Sequence, residues 1–444
     1  MKKSLFLQFV LAAFPKLALY VKEKETPKKR TYLHKEMLRE VYSADQKWEG
    51  TSANTTYVAA DIVEMDSPLP IKKRGSIATS NGHLPKIGMK KRLLESGINV
   101  INIMKAQYNS INDSTDAGKA AKSEAKKRII RKLLDDGLAC SVGIDEKNEM
   151  NFLAALSEGV VAVEDENNSG KAVRFDYGYL PSNQLHTEVK GIPSKEDIDR
   201  VFEKADADGN TIIKVMLAKS LFNKMKKEQW CKELVADDTG LIYTADTKLK
   251  TPGTTSLLTA LKNEYNAEYV LVDRTIIVEK NGKPKSVKPW NANNIIFLCN
   301  EEVGSLVWGT LAEATNPVEG VKYTTVDQYK LISKYSTNEP SLQEVTAGQA
   351  LVVPVIEDVD QIYLLSVDSQ EVNTEQESKD TGDTKTTYNG KTYNKSDLVA
   401  ALKAANIEGI TIKTNSSDET IIKALNTLSD EELADVLSRC TPTE

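Results

Sequence analysis

The sequence predicts an α+β fold: a mixed body running to Val367, a polar linker, and a small all-α C-terminal module. Three observations predict it. The dipeptide Asn81-Gly82 sits between apolar and β-branched residues. It is a strong hairpin signal because both residues tolerate the positive φ of a type I′ turn. From Ser114 onward, stretches with apolar residues at helical spacing alternate with β-branched runs. After Val367 comes "DSQEVNTEQESKDTGDTKTT", in which Val372 is the only apolar residue. Such a stretch cannot bury a core and reads as a flexible linker.

Taken in order, residues 1–50 read as an apolar helix and an arm, built on "LFLQFVLAAFPKLALYV". "TTYVAADIVEM" is a strand leading into a long hairpin over 66–92. Its arms carry Ile71, Ile77, Leu84 and Ile87, diluted by Lys72, Lys73, Arg74, Lys86, Lys90, Lys91 and Arg92. Pro68, Pro70 and Pro85 suit edges and strand starts. An isolated two-stranded hairpin is marginal in water, so this one lies on something: a neighbouring copy, or its own domain. "GINVINIM" (97–104) reads as the returning strand.

Ser114–Leu134 reads as a helix capped by Ser114 or Thr115. A second helix runs from about Asp135 to Leu156, with Gly137 and Gly143 as weak points and Gly159 as its end. "VVAVE" (160–164) and "AVRFDYGYL" (172–180) are strands, and Ser194 caps the next helix. That helix ends in Asp206-Ala207-Asp208-Gly209-Asn210, which resembles a calcium loop. With Gly209 at position six, Lys204 and Val215 occupy positions one and twelve, where oxygen ligands are required, so calcium is excluded. "TIIKVML" is a strand and "AKSLFNKMKKEQWCKEL" an amphipathic helix. "TSLLTALKNEY" is a helix capped by Thr254 or Thr255, and two strands flank a turn at Asn281-Gly282. Two closing strands lie either side of Glu357-Asp358. In the C-terminal module Ser396, Ser416 and Ser429 are placed to cap helices.

The totals exclude several function classes. The chain has 444 residues, 40% hydrophobic and 27% charged, with net charge −6. That is an ordinary soluble composition with no overall pull toward nucleic acid. Cys140, Cys231, Cys299 and Cys440 are far apart, and His34, His83 and His186 are scattered, so neither a zinc site, another metal site nor a disulfide framework is expected. The sequence has no dinucleotide fingerprint, P-loop, nucleophile elbow or H-E-x-x-H. No catalytic residue and no cofactor are expected. The apolar N-terminus also fits a signal peptide, although Pro15-Lys16 interrupts it. A secreted or surface-attached adhesin with a tethered binding module therefore stays open.

The order of these pieces resembles that of a tailed-bacteriophage major capsid protein of the lambda protein E type, with the Hong Kong ninety-seven phage fold. The similarity covers roughly residues 1–368. It rests on the N-terminal apolar helix, the hairpin at 66–92, and "KKRIIRKLL" running into a long spine helix at about 135–157. It extends to "IIKVMLAKSLFNKMKK", "VEKNGKPKSVKPWNANNIIFLCNEEVGSLVWG" and the closing "EPSLQEVTAGQALVVPVIEDVDQIYLLSV".

The resemblance implies seven segments. They are an N-terminal helix and arm (1–50), an extended loop (51–113), a peripheral-type domain (114–215), an axial-type α/β domain (216–335), closing strands (336–367), a linker (368–387) and the module (388–444). It implies self-assembly into hexamers and pentamers of an icosahedral virion shell, formed in the host cytoplasm without a membrane. Scaffolding, portal and decoration proteins would be partners, and double-stranded DNA would lie on the inner face without sequence specificity. Subunit contacts would fall on Ile71, Lys72, Lys73, Arg74, Ile77, Asn81, Gly82, Leu84, Lys86 and Ile87 of the loop, and on Leu5, Phe6, Phe9 and Phe14 of the arm. The C-terminal module carries six Lys/Arg against nine Asp/Glu from Lys391 on, which disfavours phosphate and fits an outward decoration or protein-binding role.

Overall fold

The computed structural model describes residues 2–24, 32–53, 77–163, 173–242, 244, 248–280, 282–368, 385–388, 391–394, 401 and 425. The chain divides into two compact units, Met1–Ser369 and Gln370–Glu444.

The first unit begins with α1 (Leu7–Ala13), a 3₁₀ turn at Phe14–Lys16 and α2 (Leu17–Lys24). Pro15 sits in the first turn of that 3₁₀ segment, where its missing N–H costs nothing. Next come α3 (Leu33–Met37), β1 (Leu38–Tyr42) and β2 (Lys47–Ala53). β3 (Ile77–His83) and β4 (Lys86–Leu93) follow. Here the hairpin reading needs correction. Asn81 and Gly82 are not a turn: they lie within β3, opposite Glu49 and Trp48 of β2. The ribbon pairs β2 with β3, and β4 leaves it to join a sheet. Local turn propensity loses to Trp48, whose indole needs the space that a side chain at position 82 would fill. The predicted strand over 51–65 is described only at Thr51–Ala53, and the rest lies outside the described residues, as do Ile71, Lys72, Lys73 and Arg74.

"GINVINIM" is also corrected. It belongs to α4 (Glu95–Ser110), which buries Ile98 and Ile101, one face at helical spacing. β-branched residues lower helix propensity only slightly, and packing overrides them. The two helices expected over 114–156 are one, the 43-residue α5 (Asp116–Glu158). Thr115 caps it by accepting from the Gly118 N–H, and Gly159 ends it at φ +70°.

β5 (Val160–Val163) pairs with β6 (Val173–Asp176). The rest of the unit runs β7 (Gln184–His186), α6 (Lys195–Ala207), β8 (Lys214–Ala218), α7 (Lys219–Met225), α8 (Gln229–Asp238), α9 (Thr254–Tyr265) and β9 (Glu268–Val272). The single amphipathic helix expected from Ala218 on is thus two, α7 and α8, and α9 takes Gly253 rather than a threonine as its N-cap. The hairpin β10 (Ile276–Lys280) and β11 (Lys283–Val287) carries Gly282 at φ +76°, as its Asn-Gly pair predicts. Then follow β12 (Asn294–Leu298), β13 (Gly304–Gly309), α10 (Ala312–Thr315), β14 (Lys322–Val326), β15 (Lys330–Thr337), β16 (Gln343–Ile356) and β17 (Ile362–Ser366).

Two sheets organise the unit. One runs β7-β17-β12-β8-β9. Its buried centre, Asn294–Leu298 in β12, is apolar on both faces apart from the leading Asn294. The other runs β1-β13-β16-β15-β14, with β4 also on β16. β16 meets β15 along Gln343–Gln349, β4 along Glu344–Leu351 and β13 along Leu351–Ile356. α5 packs on β16, β4 and β15. The contact is close because Gly348 leaves room for Cys140: a Cβ at position 348 would stand 2.7 Å from the Cys140 Cβ.

In the second unit β18 (Lys385–Tyr388) pairs antiparallel with β19 (Lys391–Asn394), and Ala401 and Leu425 are helical and buried. The module is therefore not all-α, since a ribbon opens it. A third Asn-Gly pair, Asn389-Gly390, lies between its strands in the sequence and went unread because the surrounding composition is that of a linker.

Candidate assembly surfaces

The predicted arm residues separate into two kinds. Phe6, Phe9 and Phe14 are buried in the chain's own core with Val10, Leu17 and Val21, against Ile129, Leu133 and Leu134 of α5 and Ile98 and Ile101 of α4. Phe9 meets Tyr108 edge-to-face at 5.7 Å. α5 presents an apolar stripe that has to be covered, and the apolar N-terminus covers it. Leu5 alone stays exposed, at 37%.

Polar anchors fix the same segment. Ser4 donates to Glu344, whose other oxygen accepts the Leu5 N–H at 3.1 Å. Lys2 forms a backbone bridge with Ser336 of β15. Burial raises the Glu344 carboxyl above its ordinary value, although the Ser4 and Leu5 donors pull the other way.

A buried ionic cluster ties α3 and β15 to the middle of α5. Glu149 accepts the Leu33 and His34 N–H groups at 3.1 and 3.0 Å and lies 2.6 Å from His34 Nδ1. One turn earlier, Asp145 takes Lys330 at 2.6 Å and Lys35 at 3.1 Å. Lys330 reaches Asp327 as well, at 2.7 Å. Buried charges persist only when paired, and this set is paired across the length of the chain. Sequence reasoning missed it because its links to α5 span 110 to 185 residues of sequence.

The outward face of the first half of α5 is basic. Lys119, Lys126, Lys127, Arg128, Arg131 and Lys132 are exposed, while Ala125, Ile129 and Leu133 face inward. The three described cysteines are free. Burial pushes the Cys140 thiol up to about 11 and that of Cys299 up to about 12, so both are poor nucleophiles. Among the described residues no group of His, Cys, Asp and Glu could hold a metal ion, and no helix is long and apolar enough to cross a membrane.

Ile77 starts β3 at the far end of the ribbon, opposite Ala53, and the other described loop residues lie at its base. Leu84 is 8% exposed, and its N–H donates to the Gln46 carbonyl at 2.9 Å. Ile87 sits half-buried in β4 opposite Ala350, and Lys86 is exposed opposite Leu351. Asn81 is exposed and Gly82 half-buried. Trp48 lies over Gly82 and packs on Phe175 at 5.8 Å and Tyr177 at 5.7 Å. β3 and β6 leave a cleft of about 630 Å³ between them, floored by Trp48.

No family model matches the sequence, and no curated protein matches it. Solved structures do resemble it. One is the crystal structure of a protein assigned as the capsid protein of an E. coli CFT073 prophage, at 10% identity and TM-score 0.49, covering 80% of this chain and 98% of that one. Another is the cyanophage A-1(L) capsid asymmetric unit, at 11% identity and TM-score 0.39, covering 78% and 95%. A third is the satellite phage P4 procapsid with its size-determination protein, at 11% identity and TM-score 0.39, covering 79% and 90%. At such identities and TM-scores these are likenesses of outline.

Proposed function

We propose that this chain is the major capsid protein of a tailed bacteriophage, a structural and non-catalytic subunit that assembles with its own copies into hexamers and pentamers of an icosahedral shell. One observation carries the reading: the order of elements. An N-terminal helical segment is followed by a long two-stranded ribbon, then a 43-residue helix, then a central sheet, and a 14-residue strand that closes the peripheral sheet against that helix. That is the order implied by the sequence's resemblance to the lambda protein E type.

The seven segments then take the roles expected of them, with the β2–β3 ribbon and the residues it brackets in sequence as the arm that reaches a neighbour. The exposed cations of α5 suit the phosphates of packaged double-stranded DNA without reading its sequence. Scaffolding, portal and decoration proteins are the further partners, and the virion assembled in the host cytoplasm is the setting. The apolar run from Phe6 to Val21 is core, which tells against the adhesin reading.

Electron microscopy of the purified full chain tests the proposal, beside a variant in which residues 54–76 are replaced by Asn-Gly. Ala53 stands opposite Ile77, so a two-residue turn closes the shortened ribbon. Capsomer rings or closed shells are expected from the full chain, and a folded monomer from the variant. A full chain that stays monomeric at every concentration and salt overturns the reading.

A further inference from the structure

We propose that the outward face of α4 docks on the α4 of a second copy of this chain, as an antiparallel helix pair about a two-fold axis. The inference rests on the assembly reading and deepens it by naming one surface through which subunits meet.

α4 has two opposite faces. Ile98 and Ile101 are buried on the inner one, in a core shared with the N-terminal aromatics and α5. On the outer one Ser96, Val100, Ile103 and Gln107 are exposed, Val100 at 50% and Ile103 at 58%. They follow one another at intervals of four, three and four residues. That is the spacing of a seam between two helices. Asn99 and Ala106 flank the seam and are exposed as well. Together these residues cover about a third of the helix circumference, and none of them is charged. A helix face turned to water ordinarily carries charge. An exposed face without it, but with aliphatic groups, has the composition of a contact surface.

The seam also says what covers it. Among the described helices of eight residues or more, every one except α4 exposes at least two charged residues. α4 exposes only Glu95, in its first turn and off the seam. Any of the other exposed helix faces would bury charges against α4 with nothing there to pair them. A second α4 brings none. The seam is also its own complement when reversed. With one helix turned end for end so that Val100 meets the partner's Ile103, Ile103 meets the partner's Val100. In the same register Ser96 meets the partner's Gln107 and Gln107 the partner's Ser96. Apolar groups face apolar groups, and hydroxyls face amides that can donate and accept. This reciprocity is what a two-fold contact requires, and the reversed helices oppose their dipoles favourably. A strip one helix wide and about 24 Å long falls well short of the roughly 1,200 Å² of a stable isolated interface. The pair therefore forms within an assembly, where many copies add weak contacts together.

Cysteine pairing in the full chain tests the contact. Val100→Cys is placed in a chain with one tag and Ile103→Cys in a chain with another, and the two are assembled together and oxidised with diamide. A disulfide-linked pair carrying both tags is expected. Each variant assembled alone should give less than about a tenth of that yield, because its like thiols stand a further 4.5 Å or so apart along the axis. The parent chain under the same oxidant reports any pairing through the four native cysteines. Ile103→Glu, at an exposed position, should weaken association about tenfold and leave the melting temperature of the dispersed chain unchanged. Shells that form normally, yet give no mixed disulfide above the parent and tolerate Ile103→Glu, overturn the contact and leave the assembly reading standing. Stronger pairing within each single variant than between the two overturns the antiparallel register, and the proposal with it. A parent chain that never assembles is seen directly by particle size, and then the assembly reading falls together with the contact.

Discussion

Lys330 and Asp145 are both fully buried, and each needs the other. Replacing Lys330 with Met leaves the Asp145 carboxylate with Lys35 at 3.1 Å as its cationic partner. The expected cost is about 3 kcal/mol, because Lys35 is one-third exposed and compensates the buried carboxylate only in part. Lys330→Met combined with Asp145→Leu should recover most of that loss, and urea unfolding of the single and double variants checks it. Asp197 offers a second test, through pH. It accepts the N–H groups of Ser194 and Glu188 at 3.0 and 3.2 Å and the guanidinium of Arg200, while Ser194 Oγ accepts the Asp197 N–H at 3.1 Å. Burial opposes its charge, but these donors outweigh burial and hold its carboxyl below the ordinary value. A depressed carboxylate stabilises the fold fully above the unfolded value of about 3.9 and loses that stabilisation as pH falls through the folded value. Asp197→Asn should therefore lower stability at neutral pH by about 1–2 kcal/mol and flatten the acid limb below about pH 4, as thermal melts across pH would show.

At the scale of elements, the long helix is decided by what lies against it. Gly143 should weaken α5, yet a Cβ there would stand 2.2 Å from Met89 Sδ of β4. Gly143→Ala gains helix propensity of about 1 kcal/mol and displaces only the flexible end of Met89, at the low end of the about 1–3 kcal/mol that overpacking costs, so a change near zero is expected. Gly143→Ala in a Met89→Ala background should turn favourable relative to Met89→Ala alone, and the double-mutant cycle measures the coupling. The same logic explains what was legible beforehand. Ser194 gave a helix start, and Asn281-Gly282 gave a hairpin, because both signals are local and nothing distant opposes them. Asn81-Gly82 and "GINVINIM" misled because partners far along the chain override local preference: Trp48 over Gly82, and the N-terminal aromatics over the Ile98–Ile101 face. The cleft was invisible for a related reason. Its walls meet only after β6 folds back near β3, and no spacing in the sequence records that.

For the whole molecule, the apolar N-terminus shows how context sets meaning. The same run reads as a leader by composition and as core by position, since Val10 and Leu17 are wholly buried. β16 has a comparable reach. It joins β15, about ten residues upstream, to β4, some 250 residues upstream, and to β13. A ribosome delivers about 5–20 residues per second. The nascent chain therefore holds β4 without its neighbour for a few tens of seconds at the slower rates, and β13 for less than about ten. Their open edges, and the face of α5 that Gly348 will meet, must be kept from other chains during that interval. The timing of synthesis thus becomes part of the quality of each subunit. A pause just before β16 emerges would raise the share of chains lost to aggregation, and a shell built from many copies would feel that loss many times over.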